Sequence, residues 1–119
     1  MTVNTTTQGD VTIIRLNGNI TLGESSGLLR DTVRNTVATG SRKILLDLGE
    51  VAYIDSAGLG ELVSCYATAE NKGIELRLLH LQKRVEGLMQ ITKLITVFDV
   101  FEDEAKALES FGSSEPAKA

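Results

Sequence analysis

Hydrophobic residues along this chain fall into short runs of two different periods. Val11-Thr12-Ile13-Ile14-Arg15-Leu16 reads as a strand, and Gln8-Gly9-Asp10 before it as a hairpin turn from a first strand over Thr2–Thr7. Asn17-Gly18-Asn19 ends that second strand. Between Leu22 and Val37, the residues Leu22, Leu29, Val33 and Val37 recur, with Leu28 alongside, on the face of an amphipathic helix. Thr39-Gly40-Ser41 closes that helix, with the glycine as its cap. Lys43–Leu48 is apolar almost throughout, as a central strand covered on both faces should be. A second helix is expected over Ser56–Lys72, with Leu59, Leu62, Val63, Tyr66 and Ala69 on one stripe and Asn71-Lys72-Gly73 as its stop. Ile74–Leu78 alternates like a strand with one polar face. Val85, Leu88, Met89 and Thr92 mark a third helix. A short strand near Val97–Val100 and a last helix over Glu102–Phe111 complete the chain.

The order β-β-α-β-α-β-α-β-α predicts an α/β fold: a mixed, mainly parallel β-sheet with packed α-helices and one antiparallel pair at the hairpin. The 119 residues suit a single domain over 1–111, with 112–119, small, polar and proline-containing, as a flexible C-terminal tail. Hydrophobic residues at 42% and charged residues at 24% are a globular balance. A net charge of −4 with no basic patch argues against nucleic acid as a partner, and 4% aromatics with no tryptophan disfavours stacking on bases. Cys65 stands alone, which excludes an internal disulfide and fits a reducing compartment. Met1–Gln8 is polar and threonine-rich, unlike a signal peptide, and the apolar runs are far short of the roughly 20 residues that span a bilayer. A cytoplasmic location without membrane insertion is expected.

The segment richest in chemistry is Ile54-Asp55-Ser56-Ala57-Gly58-Leu59-Gly60, after the strand Ile44–Leu48 and the loop Val51-Ala52-Tyr53. Asp55 is a suitable N-cap for a helix beginning at Ser56. A hydroxyl in that place sits where free N–H groups and the helix dipole favour negative charge, so a phosphate on Ser56 would leave its own helix intact. Gly58 and Gly60 each weaken the helix relative to alanine by about 1 kcal/mol. Two readings remain open for them: close approach of a partner backbone, or tight packing of the helix start on the sheet. A serine hydrolase is disfavoured, because Ile54 replaces the first glycine of a nucleophile elbow and His80 lies on another strand. Gly58-Leu59-Gly60 opens like a dinucleotide fingerprint, but Val63 stands for its third glycine and the loop has no lysine. No residues have metal-ligand spacing, and no cofactor is expected.

Together these segments resemble the anti-sigma factor antagonists, single STAS domains of bacterial regulatory systems. The resemblance spans Val3 to Phe111 and is most specific at Ile54–Gly60, with weaker support from Leu16–Thr21, Gln82–Thr92 and Leu94-Ile95. It implies a STAS-type fold and a non-enzymatic role in which Ser56 is the phosphate acceptor. The unphosphorylated chain would bind an anti-sigma factor that is also a serine protein kinase and free a sigma factor. The phosphorylated chain would not bind, and a serine phosphatase would reset it. Asp55, Ser56, Ala57, Gly58, Leu59, Gly60 and Thr21 are the implied partner-binding residues, in a monomer or weak dimer. Relatives often carry Gly-Glu-Leu-Asp where this chain has Gly18-Asn19-Ile20-Thr21, and a Ser-Pro helix start where it has Leu81-Gln82-Lys83. The alternative is a STAS scaffold or regulatory subunit of a signalling assembly or transport complex, without a phospho-switch.

Overall fold

The computed structural model describes residues 1–112. In chain order the elements are β1 (Thr2–Gln8), β2 (Val11–Asn17), α1 (Glu24–Ala38), β3 (Lys43–Glu50), α2 (Ser56–Asn71), β4 (Glu75–Leu79), α3 (Lys83–Ile91), β5 (Val100–Phe101) and α4 (Glu104–Gly112). They build the expected α/β fold. One five-stranded sheet runs β1-β2-β3-β4-β5, with β1 antiparallel to β2 and every other pair parallel. The tail expected over 112–119 lies, from residue 113, outside the described residues.

Strand alternation divides the sheet between two cores. Ile14, Leu16, Ile44, Leu46, Leu48, Leu76 and Leu78 join the buried residues of α1, α2 and α3 in one cluster. Val11, Ile13, Leu45 and Leu79 meet Ala107 and Phe111 of α4 in the other. The guanidinium of Arg77 also lies 4.6 Å from the Phe111 ring centroid. Both faces of β2, β3 and β4 are therefore covered, which is why Lys43–Leu48 carries so few polar residues. β1 is a threonine-rich edge strand whose side chains are almost all exposed.

Several local expectations are corrected. Leu22 does not join the α1 stripe: the helix starts two residues later, after Gly23 at φ +104°, and Leu22 is 80% exposed. Ser26 and Thr36 are buried on that stripe, because their hydroxyls donate to the carbonyls of Gly23 and Thr32 at 3.1 and 2.8 Å. On α2, Cys65 belongs to the buried stripe and Val63 and Tyr66 to its half-buried margin. Ile74 belongs to the end of α2 and not to β4. Its N–H bonds to the Ala69 carbonyl, and that of Gly73, at φ +70°, bonds to the Glu70 carbonyl, forming a Schellman closure. The last strand begins at Val100, because Leu94–Thr96 forms a short 3-10 turn and Phe98 turns into the core, edge-on to Tyr66 with centroids 5.3 Å apart.

Candidate functional site

The site begins with two buried isoleucines that fix two loops. Ile54, after β3, and Ile20, after β2, form an isolated parallel bridge, and each is 1% exposed or less. The Ile20 N–H donates to the Tyr53 carbonyl at 3.1 Å, and the Asp55 N–H donates to the Ile20 carbonyl at 3.2 Å. With these pegs buried, Ala52, Tyr53 and Ser56 are left at the surface.

Asp55 is the N-cap of α2, in an extended conformation, and one carboxylate oxygen accepts the Gly58 N–H at 2.8 Å. The other oxygen accepts the Leu22 N–H at 3.0 Å, so one side chain ties the start of α2 to the loop before α1. These bonds, from Gly58 first and Leu22 second, hold the Asp55 carboxyl below the usual carboxylate range. Ser56 is the first helical residue and is exposed; among the described residues its hydroxyl has no hydrogen-bond partner. The helix start is capped by Asp55, and the Ser56 hydroxyl is left exposed.

The two glycines separate. A Cβ on Gly58 would run into the Ile20 carbonyl oxygen and stand 2.9 Å from its carbonyl carbon and Cγ2. Gly58 is buried and serves the approach of the chain's own loop. A Cβ on Gly60 would meet nothing within 4 Å. Leu59 is 7% exposed and forms core, with only an edge turned outward. Thr21 is half-buried and is held by Ser25, whose hydroxyl accepts the Thr21 N–H at 2.8 Å. Ala57 is half-buried at the helix start. Glu61, one turn along, pairs with Arg30 of α1 at 3.0 Å.

His80, the one histidine of the sequence, is engaged with another strand and not with Ser56. His80, in the left-handed region at φ +57°, places Nδ1 3.2 Å from Asp47 Oδ1. Asp47 is also held by Arg15 at 2.7 Å, and Arg15 reaches Glu104 of α4 at 3.1 Å. That network fastens α4 across the sheet end. Among the described residues, no group of three or more His, Cys, Asp or Glu is placed to hold a metal ion. None of the described helices is long and apolar enough to cross a membrane.

Sequence reasoning missed the neighbour of Ser56. A groove of about 530 Å³ separates the α2 start from α3 and is lined by Tyr53, Ser56 and Leu59 on one side and Leu88 and Ile91 on the other. Lys83 and Arg84 stand on its α3 rim, and Ile91 is 81% exposed. Only Ile91 and Gly87, odd residues for an outer helical face, signalled it in advance.

Comparison with known proteins gives this geometry a setting. A curated relative from Thermotoga neapolitana, named as a candidate anti-sigma factor antagonist, is 34% identical over 70 residues. The match covers 59% of this chain and 62% of that protein, so it spans less than two thirds of the relative's length. The crystal structure of a candidate anti-sigma factor antagonist from Thermotoga maritima superposes with a TM-score of 0.84 at 25% identity, covering 91% of this chain and 92% of the other. The Bacillus cell fate determinant SpoIIAA, in its phosphorylated form, shares the fold at a TM-score of 0.71 and 16% identity, covering 92% of this chain and 99% of its own. The STAS domain model matches residues 2–107, from β1 into α4 and through the whole of the site just described. This chain belongs to the STAS domain family.

Proposed function

We propose that the protein is an anti-sigma factor antagonist of the partner-switching kind, acting in the cytoplasm by binding and not by catalysis. The unphosphorylated form binds an anti-sigma factor that is also a serine protein kinase and so releases a sigma factor. Phosphorylation of Ser56 ends the binding, and a serine phosphatase restores it. The observation that carries this reading is the state of Ser56: exposed, unpartnered among the described residues and held at the first position of α2 by the Asp55 cap. The names of the two Thermotoga relatives support it.

The physics of the modification fits a local block. A phosphate carries about −1.5 to −2 charge at neutral pH. At the start of α2 it meets a helix N-terminus, which tolerates it, so the fold need not move. The same charge faces outward next to the Asp55 carboxylate, where a docked partner would have to desolvate both. Thr21, Asp55, Ala57 and Gly60 surround the acceptor as contacts, and Leu59 offers its edge.

The test compares wild type, Ser56→Ala and Ser56→Asp as baits against lysate of the source organism, with mass spectrometry of captured proteins and of the bait. A protein with an ATP-binding kinase domain should be held by wild type and Ser56→Ala and lost by Ser56→Asp, and phosphate should map to Ser56 in wild type. Equal affinity of that kinase for all three would end the switch model. Retention of the same assembly or transporter subunits by all baits would favour the scaffold role.

A further inference from the structure

The groove between the α2 start and α3 has a composition that specifies an occupant. Its floor and walls are apolar, with Tyr53, Leu59, Leu88 and Ile91, and 81% of Ile91 is exposed. An apolar concavity of this kind on a small domain marks an interaction site. Its charged rim differs in sign from the chain as a whole: Lys83 and Arg84 line it against the single carboxylate of Asp55, whereas the net charge is −4. Neither Lys83 nor Arg84 forms an ion pair with another described residue, unlike Arg15, Arg30, Lys43 and Arg77.

Gly87 supplies an independent observation. It is the fifth of nine residues in α3, where glycine weakens a helix relative to alanine. A Cβ there would meet nothing within 4 Å, and its φ is not positive, so neither internal packing nor backbone conformation calls for glycine. Yet Gly87 lines the groove between Lys83 and Ile91, at successive i, i+4 steps along one face of α3. The missing side chain deepens the groove at its midpoint.

We infer that this groove receives an amphipathic acidic helix of a partner protein, its apolar side chains resting over Gly87 against Leu88, Ile91 and Tyr53, and its carboxylates paired with Lys83 and Arg84. A helix lying in a groove between two helices buries its apolar face along i, i+3 and i+4 positions. The exposed face of α3, nine residues long, accommodates about two and a half turns of such a helix. The inference takes its regulation, though not its occupant, from the proposed switch. Two cations against one carboxylate leave the rim with one net positive charge, and a phosphate of about −1.5 to −2 on Ser56 reverses that sign. Phosphorylation would thus convert a surface that attracts carboxylates into one that repels them.

The test is selection of a phage-displayed library of helix-forming peptides on the folded full chain, followed by affinity measurement for the enriched sequences. Enriched peptides should carry an apolar stripe and an excess of Asp and Glu, and their binding should weaken with added salt. The double variant Lys83→Glu/Arg84→Glu, exposed and unpaired, should keep the wild-type Tm and lose about tenfold or more in affinity. Gly87→Leu should fill the groove and abolish binding, while Gly87→Ala should raise the Tm. Enrichment of basic peptides, no enrichment at all, a fall in Tm on Gly87→Ala, or affinity unchanged by the charge reversal would each overturn the inference. Ser56→Asp separates the two proposals. If it abolishes binding and the charge reversal does not, the switch stands and the acidic occupant falls; in the opposite case the occupant stands and the switch falls.

Discussion

Gly58 and Gly60 stand two residues apart at the start of α2, and replacing each by alanine is expected to change stability in opposite directions. Alanine at either position returns about 1 kcal/mol of helix propensity. At Gly58 the new methyl would collide with the Ile20 carbonyl oxygen and lie 2.9 Å from Ile20 Cγ2, where ordinary contact begins near 3.4 Å. Relief requires the Ile20 segment to retreat by about 1 Å, an overpacking strain of about 1–3 kcal/mol. The same retreat breaks the 3.2 Å bond from the Asp55 N–H to the Ile20 carbonyl, removing about 1 kcal/mol more. The balance is a loss of about 1–3 kcal/mol, or a Tm lower by about 4–12 °C for a domain of this size. At Gly60 no atom lies within 4 Å of the added methyl, so Gly60→Ala should gain about 0.5–1 kcal/mol. Urea and thermal unfolding followed by far-UV circular dichroism read both changes. If Gly58→Ala were as stable as wild type, Gly58 would not be there for the Ile20 approach, and the account of how the two loops lock would fail.

The other predictions concern the cap and the thiol. Because the folded Asp55 carboxyl titrates below its ordinary value, its contribution is present above that value and is lost as pH falls through the lowered one. The Tm advantage of wild type over Asp55→Ala should therefore be full at neutral pH and shrink in that acidic window; a constant difference would mean that the charge of the cap contributes nothing. Burial pushes the Cys65 thiol from an ordinary 9.0 to about 12, so in the folded protein only about one molecule in ten thousand carries a thiolate near pH 8. Iodoacetamide should label Cys65 at the rate of unfolding, and rapid labelling under native conditions would refute its burial. The raised value also means that stability from this site is complete below the unfolded thiol pKa and declines as pH rises from there toward 12.

Much of the loop that carries Ser56 was legible because its signals are local. An Asp-Ser pair between a buried strand and an apolar-periodic helix specifies an N-cap and a first-turn hydroxyl whatever the rest of the chain does, and Asp55 and Ser56 occupy those places. The role of Gly58 was not legible. The residue that excludes a side chain there, Ile20, lies 38 positions earlier, and sequence spacing carries no record of such a meeting. Leu22 misled for a related reason: it fits the 3.6-residue period of α1, but the Asp55 carboxylate bonds its N–H and keeps it outside the helix.

What the sequence by itself determined is the element order, the two-sided burial of Lys43–Leu48, the single antiparallel pair at the first hairpin, and a capped serine at the α2 start. Each follows from residue periodicity or from a contact within one or two turns of chain. What only the tertiary structure decided is everything that depends on two distant segments meeting. Leu45 was assigned to the α4 face and its neighbours Ile44 and Leu46 to the other by the alternation of a strand placed between helices. The final strand moved to Val100 because Phe98 found Tyr66. Lys83, Arg84, Gly87 and Ile91 became the opposite wall of the Ser56 groove because α3 packs its Val85–Met89 side onto the sheet and leaves its other face toward α2. Local preference sets which elements form, whereas the burial of shared apolar surface sets which of them become neighbours.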